Sequence, residues 1–369
     1  MPQFRIGPMQ YWLMIPCLVF SKGIGITAGI TARMVETDAW LAMAMGFGLG
    51  MLVLLGTSYL GSRFPDKTIV EYSELLLGRW LGKVIAALLA IYFMAAYAVL
   101  SNVITMHIHH YFLPETPYLV ICLIWVLLSA YGIYLGIEVI VRFGSIGFLG
   151  IILITLTMLT GTVLDIKPIN LLPLMDKGFG ADLGASIYVL SDISVAILAS
   201  AYLIPLLNSK KKLMTLSFWA MAAGAILVLS WPLFETMVIG PDLMKQYLMV
   251  CMEQIRCAQL TKYLPRYELI MVSFFVFGVL VQSLTTFYCA QYAIGRLTGV
   301  KNRVFLLVPL AAVLLAATYF LAHDMNNYIN IITYPYSQVS TAFGIGLPVF
   351  LLLIALVRGK LGRKEEKSE

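Results

Sequence analysis

Ten apolar stretches, each long enough to cross a bilayer, follow one another along this chain of 369 residues. They occupy 9–34, 39–62, 84–106, 118–135, 144–164, 183–207, 213–239, 269–297, 304–322 and 334–357. A spanning helix takes about 20 apolar residues. A transmembrane strand instead needs about 10 residues of alternating polarity, and no such alternation is present. Only 12% of the residues are charged, against about 25% in a soluble domain. That shortage excludes a soluble enzyme, a secreted disulfide scaffold and a disordered regulator. The expected fold is an all-α integral membrane protein with ten transmembrane helices.

Lysine and arginine set the expected orientation. Of 25 such residues, 17 fall on the side that holds Arg5, the 63–83 loop, Arg142, Lys210 to Lys212, the 296–303 loop and the tail from Arg358. Seven fall on the other side, and Lys22 lies inside a span. The basic side is therefore expected to be cytoplasmic, with both termini there. The net charge of +6 follows from this asymmetry and does not imply a nucleic-acid partner. The first stretch has no charged leader beyond Arg5 and no small-residue cleavage site, so it is expected to be a retained first span. The segment 68–82 reads as an interfacial amphipathic helix, with Ile69, Tyr72, Leu75 and Leu76 on one face and Trp80 as an anchor.

Two spans carry interruptions. The first reads Ser21-Lys22-Gly23-Ile24-Gly25-Ile26-Thr27-Ala28-Gly29, poor material for a continuous helix in lipid. Irregular backbone at that depth is tolerated only where it faces protein or a cavity. Five spans later, Leu190-Ser191-Asp192-Ile193-Ser194 breaks the apolar pattern of the sixth. Matching broken helices in two halves are the mark of inverted-repeat transporters. The expected repeats are about 9–164 and 183–357, followed by a tail at 358–369. The first and sixth spans hold the central charges, and the two are opposite in sign. An unpaired charge there costs at least ~3 kcal/mol on insertion scales. Lys22 and Asp192 could offset that by pairing; alternatively Lys22 snorkels and Asp192 faces a wet vestibule.

Other polar groups are weaker signals. Tyr97, Ser101 and Thr105 recur every four residues, with Asn102 beside them, as a cavity lining or as helix–helix packing. Phe275, Val279, Gln282 and Thr286 share a face of the eighth span, where Gln282 reads as a ligand contact or an interhelical hydrogen bond. His107, His109 and His110 suggest metal binding or pH sensing, although only His107 and His110 share a helical face. Glu235 and His323 lie near outer ends and are expected to be wetted. Cys251 and Cys257 share one loop and read as free thiols or as a disulfide. No phosphate-binding GxxxxGK[ST], HExxH or nucleophile elbow occurs. No enzymatic activity, cofactor or bound metal is therefore expected.

The chain resembles the B subunits of the GerA-type spore germinant receptors, endospore germination permeases of the amino acid–polyamine–organocation superfamily. The resemblance runs nearly end to end. It is carried by Arg63-Phe64-Pro65-Asp66-Lys67-Thr68, by Leu76-Leu77-Gly78-Arg79-Trp80-Leu81-Gly82-Lys83 and by Leu113-Pro114-Glu115-Thr116-Pro117. Gly136-Ile137-Glu138-Val139-Ile140-Val141-Arg142, Asn170-Leu171-Leu172-Pro173-Leu174 and Gly240-Pro241-Asp242 extend it. So do Pro205 ahead of the Lys210 to Lys212 run and Arg266-Tyr267-Glu268 before the eighth span. The resemblance implies a five-plus-five inverted repeat with helices 1 and 6 broken at the midplane. It implies the inner spore membrane of a spore-forming bacterium and a complex with an A subunit and a lipoprotein C subunit. It also implies a small nutrient, often an amino acid, held by Ser21, Lys22, Gly23, Ile24 and Gly25, by Leu190, Ser191 and Asp192, by Tyr97 and Ser101, and by Phe275 and Gln282. The chain departs from that family at Lys22, where an apolar residue usually precedes the first Gly-x-Gly. An ammonium there takes the space of a coupling cation or a substrate amine. It favours an anionic or neutral ligand, or a tether to Asp192.

Overall fold

In hydrocarbon each backbone N–H and C=O must find its partner within the protein, and an α-helix provides this within one segment. A computed structural model describes residues 5–257, 268–300, 302–322 and 325–359. Among these residues the only extended pairing is an isolated bridge between Ile6 and Leu207. Nine helical stretches are long and apolar enough to cross a membrane. The first of them, Pro8–Arg63, has 56 residues, too many for one crossing. It turns back through the 3-10 segment Glu36–Asp38, where Glu36 has φ 51°. It thus makes two spans, which brings the number among the described residues to ten.

The spans are Pro8–Lys22 continuing to Val35, Ala39–Arg63, Arg79–Tyr111, Tyr118–Leu135 and Ile137–Thr162, then Phe179–Ala185 with Ile187–Leu203, Leu213–Ile239, Glu268–Thr298, Leu307–Ala322 and Met325–Ile331 continuing to Val357. Several of their contacts recur when five is added to both span numbers of the pair. The first span packs on the fifth and seventh, and the sixth on the tenth and second. The third packs on the ninth, and the eighth on the fourth. This exchange is what an inverted repeat requires of its two halves. The first and sixth spans touch at the centre and are the most enclosed, with every residue from Met14 to Ala32 and from Tyr188 to Ile204 buried.

Two local expectations are corrected. The sixth span is α-helical from Ile187 to Leu203, so there is no break at Leu190 to Ser194. Its irregular turn falls at Ser186, between Phe179–Ala185 and Ile187–Leu203. The serines explain the difference. Ser191 donates to the Tyr188 carbonyl at 2.6 Å and Ser194 to the Leu190 carbonyl at 2.7 Å. Polar side chains that bond back onto their own helix need no interruption. The first span does change geometry where expected: Gly23–Thr27 forms a π-helical turn. A second π turn, Ile332–Tyr336, lies in the tenth span around Pro335.

The interfacial helix is also shorter than expected. It covers Ile69–Leu77 and ends at Gly78, whose φ of 91° suits a residue without a Cβ. The Glu71 carboxylate accepts the Thr68 N–H at 2.9 Å and closes its first turn. Ile69, Tyr72 and Leu76 are buried against the bundle, whereas Leu75 and Trp80 face outward. The tail at 360–369 and His323 lie outside the described residues.

Candidate functional site

The π turn widens the helix through i→i+5 bonding, and Lys22, immediately before it, reaches the sixth span. The Lys22 Nζ lies 2.5 Å from Asp192 Oδ1. It also donates to Ser191 Oγ at 3.0 Å and to Thr27 Oγ1 at 3.4 Å. The Thr27 hydroxyl donates to the other carboxylate oxygen, Asp192 Oδ2, at 2.7 Å. Both charged residues are 2% exposed. Burying two charges costs several kcal/mol per ion, and only close pairing with further hydrogen bonds offsets it. Here the carboxylate has two donors, Lys22 and Thr27, and the ammonium has three acceptors, so each ion is bonded beyond the pair itself. Pairing is the arrangement present; a snorkelling Lys22 is not.

The second π turn completes this side of the site. Lys22 Nζ sits 5.8 Å from the centre of the Tyr336 ring, within reach of a cation–π attraction. Ser340, one helical turn on, donates to the Ser191 carbonyl at 3.0 Å and lies 3.2 Å from the Tyr92 hydroxyl. Spans 1, 3, 6 and 10 thus meet around one buried ion pair.

On the other side of the π turn the surroundings are aromatic. Phe275 packs against Phe20 at 5.5 Å and against His107 at 5.2 Å between ring centroids. Gly25 allows this closeness: a Cβ there would lie 2.8 Å from Val103 Cγ1 and 3.3 Å from His107 Cε1. The Cys251 thiol lies 3.8 Å from both the Gly25 carbonyl and His107 Nε2. Cys251 is a buried free thiol; the side chain of Cys257 lies outside the described residues. Ser21 donates to Gln282 Oε1, and Gln282 Nε2 donates to the Leu18 carbonyl at 2.6 Å. Gln282 therefore clamps the first span just before its π turn.

The expected residues do not all converge. Ser21, Lys22, Gly23, Ile24, Gly25, Ser191, Asp192, Phe275 and Gln282 all lie at or beside the π turn. Leu190 is buried on the sixth span, and its carbonyl takes the Ser194 hydroxyl. Tyr97 stands edge-on to Phe287 at 5.6 Å, and its neighbours include Ser129 and Cys122 of the fourth span. Among the described residues neither the Tyr97 nor the Ser101 hydroxyl bonds to Lys22 or Asp192, so neither joins the ion-pair network. Asn102 serves packing: it donates to the Thr318 carbonyl at 3.0 Å and accepts from the Tyr118 hydroxyl at 2.8 Å.

The histidines diverge. His107 turns inward, with Nδ1 2.6 Å from the Val103 carbonyl, while His109 packs on Tyr118 and His110 is exposed. Among the described residues no group of three His, Cys, Asp or Glu is placed to hold a metal. Glu235 is a further correction. It is fully buried, and neither carboxylate oxygen has a hydrogen-bond partner among the described residues. The outer segments fold over the end of the seventh span, with Lys167 N–H bonded to the Met237 carbonyl at 3.1 Å and Val250–Cys257 packed against that span. Sequence reasoning missed Tyr92, Tyr336 and Ser340. Tyr334-Pro335-Tyr336 was the available signal, since a proline inside a span disturbs the helix there.

Comparison with solved structures gives the same architecture. MhsT, in a crystal structure with L-phenylalanine, matches at TM-score 0.69 and 12% identity, covering all of this chain and 94% of MhsT. A manganese transporter from Eremococcus coleocola matches at TM-score 0.66 and 12% identity, over 98% of this chain and 82% of the transporter. The fold is therefore that of inverted-repeat membrane transporters. Among proteins of known sequence, spore germination protein KB of Bacillus subtilis is 23% identical across all of this chain and 99% of its own length. Spore germination protein YndE of the same organism is 24% identical over 48% of this chain and 49% of its own. These likenesses point to a germinant-sensing or permease-like membrane protein rather than an enzyme. Residues 5–326 match the family described as spore germination protein, and the chain belongs to that family.

Proposed function

We propose that this chain is the nutrient-sensing membrane subunit of a spore germinant receptor. In this reading a small germinant, an amino acid or a similar molecule, binds at the midplane between the π turn of the first span and the sixth span. The resulting movement passes to an A subunit and a lipoprotein C subunit. The chain lies in the inner spore membrane with both termini cytoplasmic, as its basic side favours.

The observation that carries the reading is the Lys22–Asp192 pair, 2.5 Å apart and held by four spans. A zwitterion presents the same two charges in reverse: its carboxylate can replace Asp192 at the ammonium, and its ammonium can replace Lys22 at the carboxylate. The exchange keeps every charge paired while parting the first and sixth spans. A ligand shifts such an equilibrium only by its differential affinity for the two states.

A proton-coupled amino-acid permease is the second reading, favoured by the transporter fold and by a midplane carboxylate. The test is purified chain in proteoliposomes with a panel of labelled amino acids, together with spores carrying Asp192→Asn. Saturable binding without flux, and a nutrient response lost by more than any fall in the level of the Asp192→Asn protein, are the expected results. Flux under a proton gradient assigns the permease instead. Neither binding nor flux, with Asp192→Asn spores responding normally, leaves a scaffold for the partner subunits.

A further inference from the structure

The outer half of the first span is covered along one face. Gly25, Gly29 and Arg33 are four apart and share that face, and Glu36 follows at the turn into the second span. The segment from Lys245 to Cys251 lies along them in the opposite direction. Lys245 Nζ is 3.8 Å from the Glu36 carboxylate, and Arg33 Nε donates to the Lys245 carbonyl at 3.1 Å. A Cβ on Gly29 would lie 2.6 Å from the Tyr247 carbonyl oxygen. The Cys251 thiol reaches the Gly25 carbonyl at 3.8 Å. Gly25 and Gly29 are buried, whereas Arg33 is exposed, so the cover is ionic at its outer end and apolar at its inner end.

Glu36 serves a second segment as well. Lys177, ahead of the sixth span, lies 3.0 Å from the same carboxylate. One side chain thus joins the turn between the first two spans to both long outer segments. Lys245 is further held by Asp242 at 2.9 Å. Glu36 has φ 51° and ψ −110°, backbone that costs a residue with a Cβ and persists only where its surroundings hold it. The Lys177 hydrogen bond, with the charges of Lys177 and Lys245, keeps the Glu36 carboxyl below the usual carboxylate range. The side chains of Glu36, Lys177 and Lys245 are 38, 40 and 36% exposed, and ion pairs in water are weakened by salt. The inner ends of the first and sixth spans are tied differently. Ile6 N–H donates to the Leu206 carbonyl at 2.7 Å and Asn208 N–H to the Ile6 carbonyl at 3.0 Å, and Ile6 is fully buried. Salt does not screen such backbone bonds. We propose that Glu36, Lys177 and Lys245 form an ionic clasp that makes opening of the outer face depend on dissolved salt, while the inner face stays shut. The clasp is independent of what binds at the midplane.

The test is hydrogen–deuterium exchange of the purified full chain without nutrient, read by mass spectrometry on peptides covering 241–251. Where a segment opens and recloses quickly, its exchange rate follows the open fraction. Sodium chloride is raised from about 0.01 to about 1 M, over which the screening length falls from about 30 to about 3 Å. The expected result is a rise of about two- to tenfold in the rate, as two exposed ion pairs allow. E36Q shows the raised rate already at low salt and gains little from more. K177Q/K245Q does the same from the other side of the clasp. K167Q, which removes an exposed cation of the same face outside the clasp, behaves as wild type. Peptides covering 204–208 keep their slow exchange throughout, which separates outer opening from unfolding. A salt-independent wild type, an E36Q rate equal to that of wild type, or a rise shared by K167Q or by 204–208 overturns the proposal.

Discussion

Thr27 and Lys22 hold opposite oxygens of one carboxylate: Lys22 lies 2.5 Å from Asp192 Oδ1, and Thr27 donates to Oδ2 at 2.7 Å. Both belong to the first span, one at each end of the π turn. The sixth span is thereby tied to both sides of the only helical irregularity in the described part of the first span. Asp192 ties the sixth span to the first at two points.

Removing one partner of a buried ion pair leaves an uncompensated charge and costs about 3–5 kcal/mol. Asp192→Asn alone and Lys22→Met alone should each lower the thermal midpoint of the purified protein strongly. The double variant should recover much of that loss, since an amide and a thioether carry no charge into the core. A double variant no more stable than the singles would show that the pair contributes no coupling.

The glycines offer a matched comparison. Gly25→Ala drives a Cβ to 2.8 Å from Val103 Cγ1, and overpacking of this kind costs about 1–3 kcal/mol. Gly48 is also in a span, but nothing lies within 4 Å of the Cβ it lacks. Gly48→Ala should be neutral or stabilising by up to about 1 kcal/mol, the difference in helix propensity. Thermal unfolding followed by circular dichroism separates the two. Nutrient response should fall only for Gly25→Ala.

Among the described residues Glu235 has no hydrogen-bond partner for either oxygen. Glu235→Gln keeps the shape without the charge and should hold or raise the thermal midpoint. Glu235→Ala removes the packing too and should lower it. A Glu235→Gln variant that folds poorly would point to a partner for the carboxylate outside the described residues.

Gln282 joins the eighth span to the first through both ends of its amide. Gln282→Leu leaves the Leu18 carbonyl and the Ser21 hydroxyl buried without it, at about 1–3 kcal/mol for a stranded group. Ser21→Ala should cost less, because the amide keeps its bond to Leu18. The order of midpoints, wild type above Ser21→Ala above Gln282→Leu, checks the clamp.

The spans, their number and the place of the first irregularity were legible because hydrocarbon demands long apolar runs and glycine clusters stand out against them. Lys22 and Asp192 were legible for the same reason, as rare charges in apolar surroundings. The continuity of the sixth helix was not, because serine signals an interruption in sequence whether it breaks a helix or bonds back onto it. Tyr97 and Ser101 share a face with one another, but which neighbours that face meets depends on how the third span is rotated, which periodicity does not fix. Glu235 misled for a related reason: its depth in the seventh span was readable, but the outer segments that fold over it were not. The tenth span's contribution came from Pro335 and Tyr336, whose effect needs the tertiary fold to bring the second π turn against the first.

Gly29 lies beneath the outer segment so closely that a Cβ there would meet the Tyr247 and Leu248 carbonyls at 2.6 and 2.9 Å. Backbone rests on backbone with no side chain between them to absorb a displacement. The outer half of the first span cannot tilt without lifting this cover, which also carries Cys251 onto the Gly25 carbonyl. Should ligand part the first and sixth spans as proposed, Cys251, buried at rest, is expected to become open to a membrane-impermeant maleimide, and labelling in a Cys257→Ser background reads that change.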